Sequence, residues 1–255
     1  MRTYMKRNIV TVLLLAVAVL SMTAFNVSAL ADTPTDKGCT LSENTLSKNS
    51  LNNPDKVLAV IGDSRCCSIE ALLWKDKDWE KVYTSFEGRI CDGIYQKNNQ
   101  ILVICAEGGG SYLDGAAKSA WCRMNALLEN APCLQNCVDY KFADMFGVND
   151  INEGSKTPKA LLALDKQIAQ TGKFSEVTQY NVGPVSNVGA AVTAQLNNVL
   201  IDSFNAKFKK SKEVKIVNLN VFLQQAGYDF EDDAGVHYDE DTSKKILMLL
   251  LPEEF

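Results

Sequence analysis

An α/β fold, with a mostly parallel sheet covered by helices on both faces, is predicted by three observations. Val57–Ile61 (VLAVI) and Ile101–Cys105 (ILVIC) are unbroken apolar runs of strand length, as strands buried on both faces are. Segments with helical spacing of apolar residues fall between the strand candidates, and this alternation builds parallel βαβ units. Segments rich in Gly, Ser, Asn and Asp follow directly after strand candidates, at the carboxyl ends where such sheets carry their sites.

Three further strands are predicted at Val138–Phe146, Val177–Val182 and Val214–Leu219. The helices begin with Ser68–Trp74, to which Ser64 supplies the first residue, and with Tyr112–Glu129. Thr157–Thr171 carries Pro158 in its first turn, where the missing N–H costs nothing. Ala190–Lys209 spaces Val192, Leu196, Val199, Leu200, Phe204 and Phe208 along one stripe. Thr242–Leu251 is the last helix. Trp79–Asn99 fits neither pattern and reads as an insertion or an extra strand.

Arg2, Lys6 and Arg7 precede an apolar run from Ile9 to Phe25, and Ala29-Leu30-Ala31 follows. This is the layout of a signal peptide over residues 1–31, so the mature chain is expected outside the cell with no membrane insertion after cleavage. A retained anchor is the competing reading. Residues 32–55 are polar and read as a flexible lead-in to one domain over 56–255. With the leader's three basic residues removed, 23 Lys and Arg remain against 31 Asp and Glu. An acidic balance of this size argues against nucleic acid as a partner. The eight cysteines suggest disulfides in an exported chain, with the pairing open. No C-x2-C pair exists and there is one histidine, so no metal site is expected.

Four segments carry chemistry. Gly62-Asp63-Ser64-Arg65 puts a serine at a helix start, where free N–H groups favour developing negative charge. Glu107-Gly108-Gly109-Gly110-Ser111 allows close backbone approach, but its spacing matches neither nucleotide-binding glycine motif. Phe146-Gly147-Val148-Asn149-Asp150 offers a side-chain amide donor. His237, within Asp232-Asp233-Ala234-Gly235-Val236-His237-Tyr238, is the one imidazole available as a general base.

The order of these blocks resembles the SGNH (GDSL-type) hydrolase family, from about Val57 to the C-terminus, and is similar to exported members from Gram-positive bacteria. Tyr180–Val185, Ile201–Asn205 and Gly235–Tyr238 belong to the same likeness. The resemblance implies a flavodoxin-like three-layer α/β/α sandwich and a serine esterase that works through an acyl-enzyme without a cofactor. Ser64 is then the nucleophile, Gly109 the backbone oxyanion donor (with Gly108 and Gly110 as alternates), Asn149 the side-chain donor and His237 the base. The family's acid stands three residues before the histidine, which here is Ala234. Asp233 is the first choice for the acid, with Asp232 in reserve. The partner is a small-molecule or carbohydrate ester, O-acetyl or short acyl. Two rival readings are a catalytically silent carbohydrate- or surface-binding protein on the same fold and a cysteine hydrolase using Cys66 or Cys67.

Overall fold

The computed structural model describes residues 56–153, 156–186, 194–232 and 235–252. The predicted signal peptide and the 32–55 segment lie outside them. The sheet has seven strands: β1 (Lys56–Gly62), β2 (Glu80–Glu87), β3 (Ile90–Lys97), β4 (Gln100–Glu107), β5 (Asp139–Met145), β6 (Glu176–Tyr180) and β7 (Lys215–Val217), in the order β2-β3-β4-β1-β5-β6-β7. The pairs β4–β1, β1–β5, β5–β6 and β6–β7 are parallel. Trp79–Asn99 resolves into β2 and β3, an antiparallel hairpin that continues antiparallel onto β4. Its outer strand alternates little and, apart from Val82, is exposed or half-buried, as an edge strand is, which is why no clear periodicity marks it.

Alternate residues of β1 enter different cores, so continuous apolarity is what the layered fold demands. Val57, Ala59 and Ile61 pack with Met124 of α2 (Ala116–Asn130), Leu161 of α3 (Thr157–Gln170) and Phe204 of α4 (Ala194–Asn205). Leu58 and Val60 pack with Ile69 of α1 (Ser64–Lys75), Leu223 of α5 (Leu219–Ala226) and Ile246 of α6 (Glu240–Leu250). Three helices therefore cover each face, and the three-layer α/β/α sandwich is the observed architecture. The C-terminal end of the predicted strand Val214–Leu219 instead starts α5, capped by the Asn218 side chain on Val221 N–H. On α4, Ile201 takes a core position while Val199 faces out; the side chains of Val192 and Leu196 lie outside the described residues.

One buried pair in this frame titrates. Asp144 (β5) and Asp165 (α3) are both fully buried, and their carboxyls meet. Burial pushes Asp144 up to about 7 and Asp165 well above its ordinary value; the Asp144 charge adds to the rise at Asp165, while the hydrogen bond from Asp165 pulls Asp144 partly back down. The folded state thus binds protons that the unfolded chain has released above pH ~4, so stability falls as pH rises from there to about 7. The thermal midpoint is expected to drop by several degrees between pH 5 and pH 8, at about 2–4 °C per kcal/mol for a domain of this size. Asp165→Asn should make that slope measurably shallower, while Glu70 and Asp150, raised by burial to about 7 and about 6, supply the remainder. A melting series as steep in the variant as in the wild type would show that the pair is not its source.

Candidate active site

Ser64 stands where β1 ends and α1 begins; α1 covers one face of the sheet, while the helices after the parallel neighbours β4 and β5 cover the other. Gly62 permits the turn, since a Cβ there would lie 2.1 Å from Cys66 Sγ. Asp63 caps the helix: its Oδ1 accepts from Arg65 N–H at 3.1 Å and its carbonyl from Cys66 and Cys67 N–H at 2.9 and 3.3 Å. Among the described contacts the first-turn donor left without an acceptor is the N–H of Ser64 itself, whose side chain is half-buried.

His237 lies in the loop before α6. Its Nδ1 is 2.5 Å from Asp232 Oδ2, while Asp232 Oδ1 accepts from Val236 N–H at 3.0 Å. Desolvation pushes the Asp232 carboxyl up, but the Val236 N–H and the His237 ring outweigh it and hold it below its ordinary value. The loop needs Gly235 at φ +62°, where a Cβ would collide with Ser186. Asp233, the first-choice acid, lies outside the described residues, and the carboxylate on the imidazole is that of Asp232. Ser64 and His237 line the same cleft of about 530 Å³, walled by Cys67, Ser68, Ala71 and Leu72 of α1 and by Tyr238 and Glu240 opposite.

The other two blocks join at the same end of the sheet. Asn149 sits in a 3₁₀ turn after β5, and its Nδ2 donates to Gly110 O at 2.8 Å, which leaves the second amide hydrogen. Within the glycine run, Gly108 N–H is taken by Arg89 O at 2.7 Å and Gly110 N–H by Glu107 O at 2.9 Å. The N–H of Gly109 has no such partner among the described contacts. Asp63 Oδ2 accepts from Val148 N–H at 3.3 Å, and Asp150 Oδ2 from Tyr112 N–H at 3.0 Å. Burial raises Asp63 against the pull of Arg65, and raises Asp150 to about 6. These two carboxyls tie the β1, β5 and β4 loops together.

Arg65 and Tyr238 carry contacts that sequence reasoning missed. A signal was present: a cation in the first turn of a helix opposes the macrodipole and needs a reason. Arg65 is 5% exposed and donates to three backbone carbonyls, with the Tyr238 ring beneath its guanidinium. The expectation of disulfides meets a geometric limit at one pair near the site. Cys66 and Cys105 are free, buried on opposite faces of the sheet, so they cannot bridge. The Cys67 thiol instead contacts that of Cys91, and the contact raises the first and lowers the second. No cluster of three or more His, Cys, Asp or Glu fit for a metal occurs among the described residues, and no helix there is long and apolar enough to span a membrane.

No protein-family model matches the chain, and no curated protein matches it in sequence. Solved structures similar to it include a lipase/acylhydrolase from Enterococcus faecalis, with 12% identity over 78% of this chain and 94% of that one and a TM-score of 0.41. A crystallised acetyl esterase variant with an acetate ion is 15% identical over 76% of this chain and 97% of that one, TM-score 0.41. A carbohydrate esterase family 3 structure from Talaromyces cellulolyticus is 16% identical over 78% of this chain and 95% of that one, TM-score 0.42.

Proposed function

We propose that this protein is an exported serine ester hydrolase that acts on O-acetyl or other short acyl esters of small alcohols or carbohydrates. The observation that carries the reading is the Asp232 carboxylate on Nδ1 of the chain's one histidine, in the cleft that Ser64 lines. A proton held at Nδ1 leaves Nε2 with its lone pair free, which is the tautomer a base needs.

In this mechanism Nε2 takes the Ser64 proton as Oγ attacks the ester carbonyl. The tetrahedral oxyanion is met by three donors that the fold leaves uncommitted: Ser64 N–H, Gly109 N–H and the second Asn149 amide hydrogen. The imidazolium, stabilised by Asp232, returns its proton to the departing alcohol, and an acyl-serine remains. Water then repeats the sequence, giving up its proton to Nε2 as it attacks, and the collapse frees the acid and Ser64. The small residues along α1 suit a short acyl group or a compact alcohol. The N-terminal segment with its Ala29-Leu30-Ala31 cleavage site supports export.

Hydrolysis of p-nitrophenyl acetate by the mature protein tests the reading. Ser64→Ala should abolish turnover, and persistence of the wild-type rate would discard the serine mechanism in favour of a thiol or a non-enzymatic role. Removing one oxyanion donor with Asn149→Ala should cost on the order of 3 kcal/mol, about a hundredfold in kcat. Asp232→Asn should lower kcat by orders of magnitude while KM stays near its original value. If Asp233→Asn is the damaging change and Asp232→Asn is mild, the acid has been misassigned.

A further inference from the structure

Arg65 is a cation enclosed by protein with no carboxylate paired to it at ion-pair distance among the described residues. Enclosing a guanidinium is costly unless its donors find acceptors, and the acceptors described here are three backbone carbonyls. Nε donates to Val236 O at 3.0 Å, Nη2 to Pro184 O at 2.8 Å, and Nη1 reaches Gly183 O at 3.5 Å. The guanidinium carbon lies 4.3 Å from the centre of the Tyr238 ring, whose hydroxyl donates to the same Pro184 O at 2.8 Å. A rigid planar fork is the side chain suited to fixing several acceptors at once.

The acceptors it selects are informative. Val236 O belongs to the peptide unit that continues into His237, and Arg65 follows Ser64 directly in the chain. The covalent link on one side and the Nε hydrogen bond on the other make a short path from nucleophile to base. Asp232 holds the N–H of Val236 and Arg65 holds its carbonyl, so this residue is gripped at both of its backbone groups. Gly183 and Pro184 anchor the fork to the loop after β6, so that it does not swing with the histidine loop.

We propose that Arg65 is a positioning residue for acyl transfer, and that it sets the His237 imidazole against Ser64 by anchoring the Val236–His237 peptide. The proposal rests on the reading of Ser64 and His237 as nucleophile and base. It accounts for an arginine at a position where charge alone is unfavourable, since an apolar side chain would fill the space without fixing the peptide.

The test compares Arg65→Lys and Arg65→Ala with wild type and with Ser64→Ala. Arg65→Ala should lose about a hundredfold in kcat while KM changes by no more than about threefold, the pattern of a misplaced base rather than weakened binding. Ethylguanidinium added to Arg65→Ala should recover part of that loss and leave a His237→Ala control unchanged. A folded Arg65→Ala with kcat within about twofold of wild type, or one that ethylguanidinium does not help, overturns the proposal. If Arg65→Ala fails to fold, Arg65→Lys, which keeps the charge but lacks the fork, is expected to show the same split between kcat and KM. A readout independent of turnover comes from the single histidine: the Nδ1 proton resonance of ¹⁵N-labelled imidazole. Its solvent exchange should be markedly faster in Arg65→Lys and unchanged in Ser64→Ala. Equal exchange in wild type and Arg65→Lys refutes the positioning role. Activity that survives Ser64→Ala refutes the serine reading instead, so the two failures are distinguishable.

Discussion

The arrangement at the top of the sheet depends on the first turn of α1, where two buried charged residues bracket Ser64. Asp63 reaches forward to cap its own helix and sideways to the Val148 N–H of the β5 loop. Arg65 reaches the opposite way, to the β6 loop and the histidine loop. Each is buried, and each uses backbone groups as its main partners. Backbone partners fix loops in a way that side-chain ion pairs do not, because a carbonyl or N–H has little freedom once its peptide is ordered. The serine therefore sits at the junction of four loops, and none of them has to recognise it directly.

The same logic extends outward. Asp150 continues the chain of ties from the β5 loop to Tyr112, and the Asn149 amide reaches Gly110. Buried polar groups of this kind stabilise little in net terms but are costly to leave half-satisfied, so they define one arrangement against its neighbours. The apolar sandwich below supplies the bulk of the stability. The network above supplies register among segments far apart in sequence. Asp144 and Asp165 are the contrasting case: two carboxyls with no cation between them, held at the price of a proton.

Where a segment's role is set by its own composition, the sequence is readable. Val57–Ile61 and Ile101–Cys105 are strands because both faces are covered, and unbroken apolarity can satisfy that condition in few other ways. The hairpin of β2 and β3 is obscured because an edge strand has one weakly buried face, and Val199 is misplaced because a stripe of apolar residues does not say where the helix meets its neighbour. Ser64, Asn149 and His237 are visible as a constellation, and the described contacts place Asn149 against the glycine run and His237 in the cleft of Ser64. Arg65 is marked as unusual by its charge in a first helical turn, but what it binds is not legible, because its acceptors are carbonyls and carbonyls leave no mark on residue identity.

The histidine loop shows how local backbone geometry brings one carboxylate to an imidazole. Asp232 stands five positions before His237, yet Gly235 N–H bonds the Asp232 carbonyl at 3.0 Å and Val236 N–H bonds its Oδ1 at 3.0 Å. The backbone folds into a tight turn around that one carboxylate, with Gly235 left-handed at its apex. Once the two N–H groups are engaged, Oδ2 is the oxygen free to meet Nδ1. What aims Asp232 at the imidazole is this set of backbone hydrogen bonds, and a glycine two residues before the histidine is its mark in the sequence.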